Sequence, residues 1–283
     1  MNLLQILALA VVQGAAELLP VSSSAHVIVA EKLMGLDPTA PEMTLLLVML
    51  HTGTMMAVIV YFWSSWRATY FVSAAAFRTK GSLVLLATAT TGVVGLALLQ
   101  LIKYVVAGHA PGFEVEHLFG NARLMAAALA AAGVLIILSA LLSDAGGDGA
   151  AISARGAAWI GAVQGLCLPF RGFSRSGATI STALLLGVGR RPAEEFSFAL
   201  AVVLTPVVVV REGLRLYNAQ AAATSLGSHD LLHLVGPSLL GMILSFLAGL
   251  VALHWLSSWL ERGRWFLFGG YCLLASLAVL WVG

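Results

Sequence analysis

Two stretches decide what this chain can fold into: residues 13–26, QGAAELLPVSSSAH, and residues 164–177, QGLCLPFRGFSRSG. Each is a polar, Gly/Pro/Ser-rich interruption inside strongly apolar sequence. The chain is 60% hydrophobic and 10% charged, with a mean hydropathy of +0.96. A soluble domain carries about 25% charge, so this sequence has too little polar surface to stay dispersed in water. It reads as an integral membrane protein. Lipid tolerates no free backbone polar groups, so broken segments at membrane depth must be buried in protein or line a cavity. Ionisable groups there are functional-site candidates by default. The two interruptions are therefore expected to face each other as halves of one active site.

Other classes fall away quickly. A net charge of +2, with no basic cluster, excludes nucleic acid as a partner. The only two cysteines, Cys167 and Cys272, lie in apolar context and read as packing residues. Residues 3–12 resemble a signal-peptide core. However, no Lys or Arg precedes them, and the polar motif stands where a cleavage site would be, so this segment is expected in the mature protein.

Residues 3–12 are too short to span, since a crossing needs about 20 residues. With 13–19 they make a half-depth helix that breaks at Pro20. The serine run 22–24 offers N-cap chemistry for a second half reaching Met34, before the loop residues Gly35, Asp37, Pro38 and Pro41. The pair 3–34 is expected to be re-entrant. Three spans follow near 42–62, 83–102 and 123–142, then a linker at 143–155. A second broken segment, 156–188, precedes spans near 196–215, 234–256 and 265–282. Gly241, Ser245 and Gly249 recur every fourth position, which suits close helix packing in lipid.

The halves 1–142 and 156–283 are internally related. At a constant offset of 151, Gln13 meets Gln164, Gly14 meets Gly165, Ser23 meets Ser174 and Pro41 meets Pro192. Three spans per half is odd, so the second half must be inserted upside down. The expected fold class is an all-α polytopic membrane protein with an inverted-topology repeat. Arg67, Arg78, Lys80, Arg155, Arg190, Arg191, Arg262 and Arg264 fall on one side, against Lys32, Lys103, Arg123, Arg211 and Arg215 on the other. The positive-inside rule puts the first set in the cytoplasm and the mouth of the first break outside.

Gln13 and Glu17 are spaced i, i+4 and share one helix face. Their oxygens suit a hard divalent cation. Ser22, Ser23 and Ser24 open a helix whose N-terminus is a ready anion site. His26 lies one turn after Ser23 and is placed to take a proton from it or give one to a leaving oxygen. The second break supplies Arg171 and Arg175 with Ser174, Ser176, Gly172 and Gly177. An arginine fork binds phosphate bidentately, and glycines let backbone approach closely. His51, in HTGT, either lines the cavity or is a histidine satisfied within its own helix. His109, His117, His229 and His233 read as surface residues. Trp63, Trp66, Trp255, Trp259, Trp265 and Trp281 read as an interfacial belt. An acid, a nucleophile, a cation and arginines around two helix N-termini describe phosphoryl chemistry on a lipid phosphate.

These motifs resemble the undecaprenyl-pyrophosphate phosphatases linked to bacitracin resistance. That family's first motif, (E/Q)-x-x-x-E-x-x-P-V-S-S-x-x-H, is matched by Gln13, Glu17, Pro20, Val21, Ser22, Ser23 and His26. Its second, P-G-x-S-R-S-G, is matched by Gly172, Ser174, Arg175, Ser176 and Gly177. ATIS at 178–181 and FSFALA at 196–201 extend the likeness over essentially the whole chain. The one departure is Arg171 in place of the motif proline, with Pro169 two residues earlier.

The resemblance implies hydrolysis of undecaprenyl pyrophosphate to undecaprenyl phosphate, recycling the lipid carrier of cell-wall synthesis. It implies dependence on Mg²⁺ or Ca²⁺ and a site opening to the outer side of the bacterial plasma membrane. It carries over Glu17, Ser23, His26 and Arg175 as catalytic residues, with Gln13 beside Glu17 at the metal. Ser22, Ser24, Arg171, Ser174, Ser176 and Gly177 are the remaining phosphate-binding candidates. Ser23 is expected to attack with His26 or Glu17 as base, or else to be a ligand while water attacks. Partners are the polyprenyl pyrophosphate, membrane lipid and a possible second copy of the chain. The rival reading is a polyprenyl-phosphate flippase, which shares the architecture but needs no nucleophile and base.

Overall fold

Asn2 starts the first helix. Its side-chain oxygen accepts the Gln5 amide at 2.8 Å and the Gln5 side chain accepts the Asn2 amide at 2.9 Å, a capping box for α1, Leu3–Leu18. The helix stops because Leu19 precedes Pro20, which forces an extended backbone (φ −71°, ψ 152°). The computed structural model describes residues 2–37, 41–107, 121–143, 150–170, 172–222 and 228–282, without the side chains at 41–42, 106–107, 207–208, 211–212, 215–222 and 228–234. Arg171, His109 and His117 lie outside the described residues, as do the side chains of Arg211, Arg215, His229 and His233.

The other helices are α2 Ser23–Leu33, α3 Pro41–Tyr70, α4 Ala74–Ala107, α5 Ala122–Leu142, α6 Ala154–Leu166, α7 Arg175–Leu185, α8 Arg190–Ala222, α9 Ser228–Glu261 and α10 Trp265–Val282. Five of these are long and apolar enough to cross a membrane, over Met43–Tyr70, Ala74–Val105, Ala122–Leu142, Val235–Glu261 and Trp265–Val282. The described chain is thus an all-helical, multi-pass membrane protein. The stretch 196–215, expected as the fourth of six spans, lies in α8, which is not among those five found in the described residues. The helices α3 and α4 outrun the expected spans 42–62 and 83–102. Hydropathy marks only the apolar middle, and helix continues through polar ends such as Ser64-Ser65-Trp66-Arg67. At the expected linker, Ser153 accepts the Gly156 amide at 3.1 Å, so helix already begins at Ala154.

Both breaks are followed by a short helix with the same ending. After α2, Gly35 (φ 64°) donates to Lys32 O and Leu36 to Glu31 O. After α7, Gly187 (φ 77°) donates to Leu184 O and Val188 to Ala183 O. Each is a Schellman motif, where the left-handed residue is glycine because no Cβ opposes it.

The small-residue stripe packs as its spacing predicts. A Cβ on Gly14 of α1 would meet Ser245 O at 2.8 Å, and one on Gly249 would meet Leu18 Cδ1 at 3.0 Å. Ser245 Oγ donates to Leu50 O at 3.0 Å, joining α9 to α3. The pair α4 and α6 is closer still, since a Cβ on Gly161 would sit 2.1 Å from Ala87 O.

Two of the expected belt tryptophans are instead core residues. Trp265 is 2% exposed, and its Nε1 donates to Ser139 Oγ at 3.1 Å and Ser181 Oγ at 3.2 Å. Trp66 is buried and donates to Glu195 O at 3.2 Å. Each has a buried acceptor within reach, which lets an indole leave the interface. Trp63, Trp255 and Trp281 are exposed as expected. Beneath Trp66, two adjacent carboxylates are buried at the start of α8. Ser257 Oγ donates to Glu194 Oε1 at 2.5 Å, while Ser65 Oγ and Arg191 Nε donate to Glu195 Oε1, the latter at 3.1 Å.

Candidate active site

Glu17, in the last turn of α1, is the centre. Arg175, the first residue of α7, donates from Nη2 to Glu17 Oε1 at 2.8 Å. Ser23, the first residue of α2, donates from Oγ to Glu17 Oε2 at 2.5 Å. Gln13 Nε2 donates to the same oxygen at 3.3 Å, as the i, i+4 spacing requires. Both breaks therefore meet at one carboxylate, as the sequence predicts. The break at Pro20 reverses the chain so that Ser23 returns over Glu17, and Ser22 adopts φ 66° to make the turn.

The serines divide differently from expectation. Ser22 precedes α2 with no side-chain capping bond, and its hydroxyl lies 3.3 Å from that of Ser24. The working cap is in the second break, where Ser174 Oγ accepts the Gly177 amide at 3.2 Å. Positive φ at Ser22 turns its side chain away from the cap position. Ser174 and Ser176 are 2% and 3% exposed, and Ser176 Oγ donates to Leu19 O at 3.3 Å. The Ser176 hydroxyl thus ties the second break to the first. Gly177 is needed for the approach, since a Cβ there would meet Ile136 Cδ1 at 2.9 Å and Ser174 Oγ at 3.1 Å.

His26 is not where the Ser-x-x-His spacing suggests. Its Nδ1 lies 2.8 Å from Ser22 O and its Nε2 2.7 Å from the Tyr271 hydroxyl. His51 is satisfied within its own helix and also reaches towards Glu17. Nδ1–H donates to Leu47 O at 2.8 Å, within its own helix, and Nε2 faces Glu17 Oε2 at 3.8 Å. Thr54, Val58, Ala201, Val202 and Thr205 line a small cavity against Glu17 and Arg175, so α3 and α8 wall the site. Gln164, which the sequence offset of 151 aligns with Gln13, instead donates to Thr91 Oγ1 at 3.0 Å. No local signal in the sequence marks Tyr271, which stands 245 residues from His26.

A cation would find oxygen donors here in the Glu17 carboxylate, the Ser23 hydroxyl and the Gln13 amide once that amide is turned by 180°. Among the described residues no three His, Cys, Asp or Glu side chains converge. A single carboxylate suits Mg²⁺, which keeps waters and takes substrate phosphate oxygens to complete its shell. The residues fit such an ion.

The family description that matches residues 6–278 reads "Bacitracin resistance protein BacA". The chain belongs to the BacA family. Among BacA relatives, "Undecaprenyl-diphosphatase 2" of Acinetobacter baylyi is 65% identical over 280 residues, covering 99% of this chain and 98% of that one. "Undecaprenyl-diphosphatase" of Desulfosudis oleivorans is 34% identical over 291 residues, covering 100% and 99% of the two chains. The protein of the same name from Korarchaeum cryptofilum is 33% identical over 300 residues, with 99% of both covered. The BacA match thus takes in both breaks and every helix that builds the site.

Proposed function

We infer that this chain hydrolyses undecaprenyl pyrophosphate to undecaprenyl phosphate and inorganic phosphate, recycling the lipid carrier for cell-wall synthesis. The full-length similarity to undecaprenyl-diphosphatases supports the reaction. The observation that carries the mechanism is the Ser23–Glu17–Arg175 chain, with distances of 2.5 and 2.8 Å. A flippase has no use for a hydroxyl donating to a carboxylate beside an arginine.

In this reading Glu17 takes the Ser23 proton as Oγ attacks the terminal phosphorus, and undecaprenyl phosphate leaves. The departing undecaprenyl phosphate carries that proton away. Water then attacks the phosphoserine, giving a proton to the freed Glu17 carboxylate, which returns it to Ser23 Oγ as the P–Oγ bond breaks and phosphate is released. Arg175 has five N–H donors and uses one on Glu17 Oε1, so the remainder are open to the equatorial oxygens that gain charge in the transition state. The α2 N-terminus, with the Ser22 and Ser24 hydroxyls beside it, supplies further donors around it, while Ser174 and Ser176 hold the second break in place. A divalent cation held by Glu17 and Gln13 would neutralise pyrophosphate charge. Direct attack by water, with Ser23 as a ligand, is the variant to exclude.

The architecture behind this reading is an inverted repeat, 1–142 and 156–283 joined by 143–155, each half opening with a re-entrant pair, 3–34 and 156–188. Its support is reciprocal packing: α1 lies on α9 while α6 lies on α4, and α5 meets α7 while α10 meets α2. The lysine and arginine distribution supports a bacterial plasma-membrane protein with the site open to the outer face.

The test is phosphate release from a polyprenyl pyrophosphate by detergent-purified protein, with Mg²⁺ and with EDTA, beside Ser23→Ala. Metal-dependent release lost in the variant supports the reading. No release from folded protein under any metal condition overturns it.

A further inference from the structure

His26 is held between two groups that keep it off Ser23. Its Nδ1 faces the Ser22 carbonyl oxygen at 2.8 Å, and a carbonyl only accepts, so Nδ1 carries the hydrogen. A neutral ring then presents its Nε2 lone pair to the Tyr271 hydroxyl, which donates at 2.7 Å. The two rings are stacked, with centroids 5.6 Å apart and planes 14° from parallel.

The carbonyl that His26 holds belongs to Ser22, the one non-glycine residue with positive φ among the described residues. Such backbone is strained and persists only where the surroundings over-determine it. No side-chain cap helps at Ser22. The residue after Tyr271 adds a second grip, because Cys272 Sγ, fully buried, donates to Pro20 O at 3.2 Å. Consecutive residues of α10 therefore hold both ends of the turn that presents Ser23. The brace is itself fixed, since a Cβ on Gly133 of α5 would meet Gly269 O of α10 at 2.8 Å.

We propose that Tyr271 is a positioning residue for the hydrolysis: through His26 it holds the strained Ser22 turn and so sets Ser23 Oγ against Glu17. His26 is then the prop of the nucleophile turn, and Glu17 is the base. The proposal rests on the reading of Ser23 as the reacting hydroxyl.

Three variants of the full chain test it. Tyr271→Phe removes one hydroxyl and is expected to lower kcat about tenfold, with KM within about twofold, as loss of an outer partner typically does. His26→Asn keeps a side-chain N–H near the former Nδ1 and is expected to hold within about tenfold of native kcat, whereas His26→Ala loses about a hundredfold. In the His26→Asn background, Tyr271→Phe should have no further effect, because its route to Ser22 is already gone. Native kcat in Tyr271→Phe overturns the proposal. So does His26→Asn as inactive as His26→Ala, which makes the ring a proton carrier.

A readout without turnover separates the two failures. Nitrogen-labelled histidine NMR should give His26 as the Nδ1–H tautomer, with an Nε2 resonance that moves in Tyr271→Phe. That signature in a protein that releases no phosphate sinks the hydrolase reading alone. An active protein lacking it sinks the role of Tyr271.

Discussion

Ser23 Oγ lies 2.5 Å from Glu17 Oε2, six residues back across the Pro20 break. In the proposed mechanism that contact assigns the proton of the Ser23 hydroxyl to a carboxylate. Glu17→Gln keeps the shape and removes the base. It is expected to cut kcat by about a hundredfold or more, the usual range for a positioned proton acceptor. Rapid acid quench with labelled substrate should leave phosphate on Ser23 in native protein and none in Ser23→Ala. Label-free native protein under a range of quench times would point to water as the attacking group.

Arg175 pairs Glu17 and, in the proposed reaction, binds the substrate phosphate. Arg175→Ala is expected to lower kcat about 10²- to 10³-fold, the scale of losing a transition-state charge donor. It also leaves Glu17 without its cation, so the thermal midpoint in detergent should drop. Adding Glu17→Gln should recover part of that drop without recovering activity. Midpoints for the two singles and the double close the cycle.

Helix contact at Gly161 is a stability prediction independent of the chemistry. Its Cβ would strike the Ala87 carbonyl oxygen at 2.1 Å, and backbone cannot step aside. Gly161→Ala should therefore destabilise the protein by about 1–3 kcal/mol. Gly92→Ala, with nothing within 4 Å, should leave the midpoint at or above native.

The buried carboxylate at the start of α8 predicts a pH dependence. Burial, and then the neighbouring Glu261 and Glu195 charges, push Glu194 from 4.5 up to about 7, against the opposing Ser257 hydrogen bond. Between those values the folded protein holds a proton that the unfolded chain releases. Stability is thus highest below about pH 4.5 for this group and falls as pH rises towards about 7. Unfolding midpoints measured across that window should decline in native protein and flatten in Glu194→Gln.

Much of the site was legible because its parts are local: Gln13 and Glu17 by helix spacing, Pro20 as a breaker, Ser23 and Arg175 at the starts of short helices. The Schellman glycine Gly35 was also plain as a turn residue. What sequence could not supply was direction. Ser-x-x-His spacing describes an ideal helix start, but positive φ at Ser22 rotates the serine towards Glu17 and leaves His26 to Ser22 O and Tyr271. Trp265 looked interfacial by position, and only the fold brings Ser139 and Ser181 to its indole.

The 158 residues that separate Glu17 from Arg175 also set a schedule for making this protein. At about 5–20 residues per second, the arginine emerges from the ribosome roughly 8–30 s after the glutamate. Throughout that interval the first break has no partner break, and an ionised carboxylate in lipid is costly. Glu17 must therefore wait protonated, at the bilayer surface, or within the insertion machinery. A nascent chain stalled before α7 would be the state in which that waiting place could be seen.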